Sequence, residues 1–338
     1  MKIAKRGAEG RWVGLSCVAA GLVAAMVLGV AFGTEPLSIS RAFDDASSLD
    51  RVVMLNVRLP RALLAGLAGG GLAIVGAAFQ AVLRNPLAEP FVLGVSGGAA
   101  FGATIAILLG LGAATFVGAS ATALFAFGGG LSAMLLVHAL ARGSTDSGMS
   151  VLLAGVVVNA TASAAITFLK TLSTAAQSQE LLFWLTGFLD VPSTTALVVT
   201  SLYVAVGSAV LLRDAGRLNL LALGDEAASH LGVDVGRLQR RTLFACSFIV
   251  GAVVSVTGLI GFVGLVVPHA LRRIVGPDAR ILLPASLVGG AGALILCDLA
   301  SRLLFRLFHT EPPVGAVTAI VGGPVFLLLL RSTRRSRG

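Results

Sequence analysis

The sequence predicts an all-α polytopic membrane protein with about ten transmembrane helices. Of its 338 residues, 56% are hydrophobic and 12% are charged, whereas a soluble domain carries about 25% charged residues. Apolar runs of roughly 20 residues recur along the chain, and this length lets a helix cross the hydrocarbon core of a bilayer. The 42 glycines and the 6% aromatic content favour helices that pack closely through small residues.

Nine predicted spans have ordinary length, and a tenth is short. The nine are residues 12–33, 58–83, 91–111, 115–141, 150–170, 194–213, 240–257, 281–306 and 314–331. The short span, 258–271, is expected to begin in a Gly-rich turn at Gly258 and Gly261. A further short helix is expected at the outer interface over residues 180–189. We find no internal repeat, and interpret residues 1–338 as a single transmembrane domain.

Positive charge predicts the orientation. The basic N-terminal segment precedes an apolar run that is longer than a signal-peptide core, so we expect an uncleaved first span. With ten spans and an inner N-terminus, the inner segments hold 18 of the 25 lysines and arginines and the outer segments hold seven. This bias follows the positive-inside rule. We therefore predict a multi-pass protein of the inner (plasma) membrane with both termini cytoplasmic.

The net charge of +9 does not indicate a nucleic-acid partner, because the arginines are scattered between apolar runs and form no basic stripe. The expected surroundings are membrane lipid. Cys17, Cys246 and Cys297 all fall within apolar segments, where a thiol usually acts as a small packing residue. Neither a disulfide nor a metal site is predicted.

The chain has no motif for nucleotide binding or hydrolysis. A phosphate-binding loop needs glycines before a Lys-Ser or Lys-Thr pair, but the only such pair, Lys170-Thr171, follows Leu169. No nucleophile with a neighbouring general base is evident either. We therefore expect a non-enzymatic chain that binds no cofactor.

Ionisable residues inside the spans are few. Asp298 is the main one, and Arg302 lies four residues further on, where the two can form a helical ion pair. His269 follows Pro268 and is interpreted as part of a Pro-distorted helix end near further arginines. Because intramembrane ionisable groups can mark ion paths, a proton-coupled secondary transporter using Asp298 or His269 is the alternative function.

Two turns are more specific. Asn85-Pro86 predicts a tight inner turn between the second and third spans. In the long inner loop, predicted over 214–239, Asp225 is a plausible N-cap of a short helix, Glu226 suits its first turn, and Gly232 can end it in the left-handed conformation. A short exposed helix between two glycines is typical of a docking element, and the alternative is a solvated helix of the loop.

These features resemble the FecCD-type permease family, the membrane subunits of type II ATP-binding-cassette (ABC) importers for siderophores, haem and cobalamin. The similarity runs in order through residues 58–61, 85–90, 93–98, 222–232, 261–269 and 313–326. It implies a homodimer with a second permease copy, two cytoplasmic ATPase subunits that use ATP and Mg²⁺, and a periplasmic substrate-binding protein. The expected cargo is an iron chelate, haem or cobalamin, and the sequence does not decide among them.

The resemblance also implies three sets of site residues. Arg58, Arg61 and Arg302 match arginines that meet acidic residues of the binding protein, and we expect them to form a basic rim at the outer face. The cytoplasmic gate matches Asn85, Leu87, Ser147 and Gly148. The element that couples to the ATPase lies in 222–232 and its flank, and comprises Leu221, Leu223, Gly224, Asp225, Glu226, Leu231 and Gly232.

Overall fold

The computed structural model describes residues 2–44, 47–111, 115–116, 119–140 and 147–335. The predicted all-α class is confirmed: the described residues form fourteen α-helices and one minimal hairpin of strands β1 (Thr115–Phe116) and β2 (Ala119–Ser120). The helices are α1 (Lys2–Ala31), α2 (Ile39–Asp44), α3 (Leu49–Val53), α4 (Leu59–Val82), α5 (Val95–Leu108), α6 (Ala121–Leu140), α7 (Ser147–Lys170), α8 (Ala175–Thr186), α9 (Thr194–Leu221), α10 (Asp225–His230), α11 (Val235–Thr257), α12 (Val263–Val275), α13 (Ala279–Phe308) and α14 (Val314–Arg335). A π-helical turn joins α3 to α4, and a 3-10 turn precedes α5.

Each of the ten predicted spans corresponds to one helix: α1, α4, α5, α6, α7, α9, α11, α12, α13 and α14. In the described part of the chain, seven helices are long and apolar enough to cross a membrane, and α5 and α14 provide shorter apolar stretches. We call the end of the bundle where α1 begins the inner end, and the end where α1 stops and α4 starts the outer end.

Helix α4 forms the centre of the bundle, since 83% of the residues in its most apolar stretch are buried. Glycines let its neighbours approach at backbone distance. A Cβ at Gly69 would overlap the carbonyl oxygen of Gly290 in α13, and a Cβ at Gly76 would overlap that of Gly264 in α12. Replacing either glycine would therefore push apart helices that pack through their backbones.

Gly98 and Gly102, four residues apart on α5, mediate a further close contact. A Cβ at Gly102 would overlap the carbonyl oxygen of Phe125, so α5 lies against the backbone of α6. Gly66 meets only the side chain of Ile295 and an alanine methyl group.

The inner loop is shorter than predicted. Helix α9 continues to Leu221 and α11 begins at Val235, so the predicted bounds 214–239 are wrong. The reason is that Asp214 is buried, where its carboxylate pairs with Arg217 at 2.7 Å and with Arg241 at 3.3 Å. These charges lie within the helices rather than at their ends.

The short eighth span also begins later than expected. Residues 258–262 have no regular secondary structure, and α12 starts at Val263. Gly264 of α12 packs against Gly76 of α4. Gly76 lies 16 residues after Pro60, which is about 24 Å along α4 at 1.5 Å per residue. Helix α12 therefore lies beside only the inner part of α4. Irregular backbone is tolerated at this depth because it is enclosed by protein, and Ile260 in this segment is buried.

The short outer helix predicted over 180–189 is α8, which starts and stops earlier. Thr174 caps it, since its hydroxyl accepts the Gln177 backbone N–H while the Gln177 side chain accepts the backbone N–H of Thr174. This reciprocal pair is a capping box, which fixes the start of the helix.

Candidate docking, gate and coupling sites

A buried ion cluster occupies the outer end of the bundle. Nε of Arg61 donates to one oxygen of Asp298 at 2.9 Å, and Nε of Arg302 lies 3.0 Å from the other. Arg61 also donates through Nη2 to Glu311 at 2.9 Å. Two guanidinium groups thus hold one fully buried carboxylate, and the predicted pair between Asp298 and Arg302 is confirmed.

Arg58 and Arg302 also donate to backbone carbonyl groups at and just after the end of α1. Nη1 of Arg58 donates to the carbonyl oxygen of Ala31 at 2.7 Å, and its Nη2 donates to that of Glu35 at 2.6 Å. Nη2 of Arg302 donates to the carbonyl oxygen of Gly29 at 2.9 Å. The last carbonyls of a helix have no partner within it, so the arginines close the end of α1.

These contacts correct the predicted basic rim. Arg58, Arg61 and Arg302 are only 5%, 8% and 4% exposed, and Glu311 is a second acidic neighbour besides Asp298. The expectation of an exposed rim is wrong, because contacts with distant parts of the chain bury all three side chains. At the same end Arg306 remains exposed while donating to two backbone carbonyls.

The predicted inner turn between α4 and α5 is confirmed. The backbone N–H of Leu87 donates to Oδ1 of Asn85 at 2.9 Å, which is the bond of an Asx turn. Arg84, just before it, has a φ of +48°, an uncommon conformation for a residue with a side chain. The Leu87 side chain is 47% exposed.

The second predicted gate segment is the start of α7. The helix begins at Ser147, so Ser147 and Gly148 belong to its first turn. Residues 141–146, which precede this turn, lie outside the described residues. The single chain therefore shows the turn between α4 and α5 and the first turn of α7, and their role as a gate remains a prediction.

Sequence reasoning missed a contact that ties the inner turn to α12. Oε1 of Glu89 accepts the backbone N–H of Phe262 at 2.7 Å, just before α12 starts. Phe262 has a φ of +68°, so the carboxylate stabilises an uncommon backbone conformation. Glu89 lies three residues after Pro86 in the sequence, but nothing local indicates its partner.

Helix α10 lies where the coupling element is predicted. Gly224, with a φ of +110°, is its N-cap, and Asp225 is its first residue. The prediction of Asp225 as the cap is therefore wrong, because the chain enters the helix through a backbone conformation that only glycine adopts freely. Gly232 has a φ of +82°, which confirms the predicted left-handed end.

The leucines around α10 divide into two kinds. Leu223 is 65% and Leu231 57% exposed, and both flank the helix. Leu221 is fully buried and so cannot anchor a partner, contrary to expectation. It packs, like Ala228, into the core of the bundle. Glu226 is exposed beside the leucines.

An ion pair joins α10 to the inner turn. Nη2 of Arg84 lies 3.1 Å from Oδ1 of Asp225, and each side chain is about two-fifths exposed. Asp225 was expected to face a basic group of a partner, but its neighbour is in the same chain. The pair connects the predicted coupling helix directly to the turn that carries Asn85 and Leu87.

Together, these sites define a class: a polytopic α-helical membrane protein that exposes a short helix at its inner end and whose sequence has no phosphate-binding loop. The profile of the FecCD transport family matches residues 21–332. The chain belongs to this family, the membrane subunits of type II ABC importers.

Individual relatives agree with this assignment. The chain is 42% identical, over 83% of its length and 74% of the relative's, to the cobalamin import system permease protein BtuC of Halobacterium salinarum. It is 38% identical to the hemin transport system permease protein HmuU of Yersinia pestis, over 84% and 85% of the two chains. Among solved structures, an inward-facing metal-chelate type ABC transporter has a TM-score of 0.84 at 30% identity, covering 94% of this chain and 98% of that one.

Proposed function

We propose that this chain is the permease subunit of an ABC importer that carries an iron chelate, haem or cobalamin across the inner membrane. A second permease copy, two cytoplasmic ATPase subunits that use ATP and Mg²⁺, and a periplasmic binding protein complete the assembly. The permease itself is not an enzyme, and both its termini are cytoplasmic. Support comes from the family and from relatives whose names specify cobalamin and hemin.

The observation that carries the proposal is the exposed helix α10. It has six residues, whereas isolated helices shorter than about 12 residues are marginal in water. On one side Ala228 secures it to the bundle. On the other, Leu223 and Leu231 remain uncovered, and an apolar groove on the ATPase would bury them.

The same helix has a direct connection to the gate. A displacement of α10 by the ATPase would move Asp225, and the Arg84 pair would pass this movement to the turn at Asn85 and Leu87. The connection is short because Arg84 immediately precedes Asn85. This geometry favours a stroke that begins at the ATPase and ends at the inner gate.

Helix α7 would border the transport path. Only 22% of the residues in its most apolar stretch are buried, and Leu153 and Val157 are exposed on the helix surface. A second permease copy would cover this face and bring two copies of the first turn of α7, at Ser147 and Gly148, to the inner gate. Walls without charge suit the passage of a large chelate, because they do not hold it.

At the outer end, the binding protein would dock over the cluster of Arg58, Arg61 and Arg302. These side chains are buried in the single chain, so we propose that they fix the shape of the docking surface. Exposed Arg306 at the same end can meet an acidic partner directly. Such rim charges act mainly on the rate of encounter.

The test is co-purification of the ATPase with Leu223→Asp, followed by ATP-driven uptake in vesicles containing the binding protein. Ferric siderophore, haemin and cyanocobalamin would be offered in turn. We expect the variant to lose ATPase assembly and uptake, because a charge at an apolar anchor opposes its burial.

Leu172→Asp is the matched control, since Leu172 is 67% exposed but lies at the outer end after α7. It should retain the ATPase. Full assembly and transport by Leu223→Asp, or uptake that follows a proton gradient without ATP, would contradict the proposal.

A further inference from the structure

A groove between α9 and α11, open at the surface of the chain, is not used by the proposed transport cycle. It has a volume of about 620 Å³ and opens at its inner end beside three arginines. We propose that this groove binds one anionic phospholipid of the cytoplasmic leaflet. The groove joins an apolar channel to a cationic opening, as a lipid with an anionic headgroup requires. Lipid binding at this site is a property beyond the proposed function.

The apolar part of the groove is lined by aromatic and aliphatic side chains. Tyr203 and Val206 contribute from α9, and Phe244 and Phe248 from α11. Phe127 of α6 packs against two of these lining residues, with its ring centroid 5.3 Å from that of Tyr203 and 6.0 Å from that of Phe248. Val206, Phe244 and Phe248 are all exposed. The groove is therefore a preformed apolar surface of the shape that an acyl chain can fill.

The cationic part lies on the first turns of α11. Arg237, Arg240 and Arg241 are three and four residues apart, so they share one face of the helix. Arg241 is partly neutralised by Asp214 at 3.3 Å, and Arg237 lies 3.4 Å from Asp234 at the surface. Arg240 is exposed and has no acidic partner within the described ranges. Three positive charges against two negative ones leave the mouth of the groove positive.

The depth of the two parts matches a lipid molecule. Eight residues separate Arg240 from Phe248, about 12 Å along the helix at 1.5 Å per residue. The arginines thus lie at headgroup level when the aromatic residues lie among acyl chains. Basic pockets between transmembrane helices on the cytoplasmic side bind anionic headgroups.

Native mass spectrometry of the full-length chain in detergent tests the proposal by titration with phosphatidylglycerol or with phosphatidylcholine of the same acyl chains. We expect phosphatidylglycerol to bind more tightly. Arg240→Gln should weaken its binding about fivefold, the equivalent of about 1 kcal/mol for one arginine near the surface. The same change should leave phosphatidylcholine binding unaltered.

Two controls separate the groove from general charge and apolar effects. Arg213→Gln removes an exposed arginine at the inner end of α9 that does not line the groove, and it should not weaken lipid binding. Val206→Trp should fill the groove and reduce the binding of both lipids, whereas Val198→Trp, on an exposed part of α9 outside it, should not.

Equal binding of the two lipids, or equal effects of Arg240→Gln and Arg213→Gln, would overturn the proposal. So would a dimer of the chain whose formation expels phosphatidylglycerol, since the groove would then be an interface between copies.

Discussion

The ion cluster at the outer end and the ion pair that joins α10 to the inner turn use their charged residues in opposite ways. At the outer end, Arg61, Asp298 and Arg302 are buried and form ion pairs with one another. At the inner end, Asp214 is likewise buried between Arg217 and Arg241, but Arg84 and Asp225, which join α10 to the inner turn, form a half-exposed pair beside uncovered leucines. The outer ion cluster therefore has all its charged partners within one chain, whereas the surface around α10 still lacks a partner.

This difference indicates a division of mechanical roles. A buried cluster is costly to break, because separating its members leaves a charge without compensation in a low dielectric. A half-exposed pair contributes little to stability, and it can move without such a penalty. The outer end suits a rigid frame, and the inner end suits a moving part.

The largest expected effect is at the outer end. Asp298→Asn should destabilise the folded chain by about 3–5 kcal/mol, since it leaves the buried Arg302 guanidinium group without a carboxylate and Arg61 with Glu311 alone. Denaturant unfolding in mild detergent measures this change.

Asp50→Asn is its control, because Asp50 pairs at 3.1 Å with Arg41, whose side chain is 73% exposed. It should cost at most about 1 kcal/mol. Comparable losses in the two variants would show that the outer cluster is not a frame.

A smaller effect on stability, with a larger one on transport, is expected at the inner end. Asp225→Asn should change the free energy of unfolding by about 1 kcal/mol or less, while the assembled importer hydrolyses ATP with reduced uptake per ATP. The ratio of vesicle uptake to phosphate release measures this coupling.

The charge exchange Arg84→Asp with Asp225→Arg should restore part of the lost coupling if the ion pair transmits movement. An unchanged ratio in the single variant would assign the pair no role in transmission.

The sequence predicted the inner end better than the outer end, because the features predicted at the inner end depend on residues that are close in sequence. The turn at Asn85 and the helix ended by Gly232 are specified by residues within a few positions of one another. The pairing of Arg61 with Asp298 joins residues 237 positions apart, so three arginines that seemed to lie at an exposed interface are in fact buried.

Helix bounds failed for a related reason. The predicted spans ended at Arg213 and began at Arg240, because charge usually marks the edge of the hydrocarbon region. The neighbouring residues Asp214 and Arg241 pair with each other across α9 and α11, and both helices continue past them. Composition predicts which segments cross the membrane, but pairing of charges between helices decides where each helix ends.

Crosslinking at Leu87 tests the central claim most directly, since this side chain lies on the turn that Arg84 connects to α10. A Leu87→Cys variant would be made in a Cys17→Ser background, because Cys17 is the exposed native cysteine among the described residues. In the assembled importer, we expect the yield of crosslinks between the two permease copies to change between the nucleotide-free and ATP-bound states. The same yield in every nucleotide state would show that the inner turn does not move, and would contradict the account.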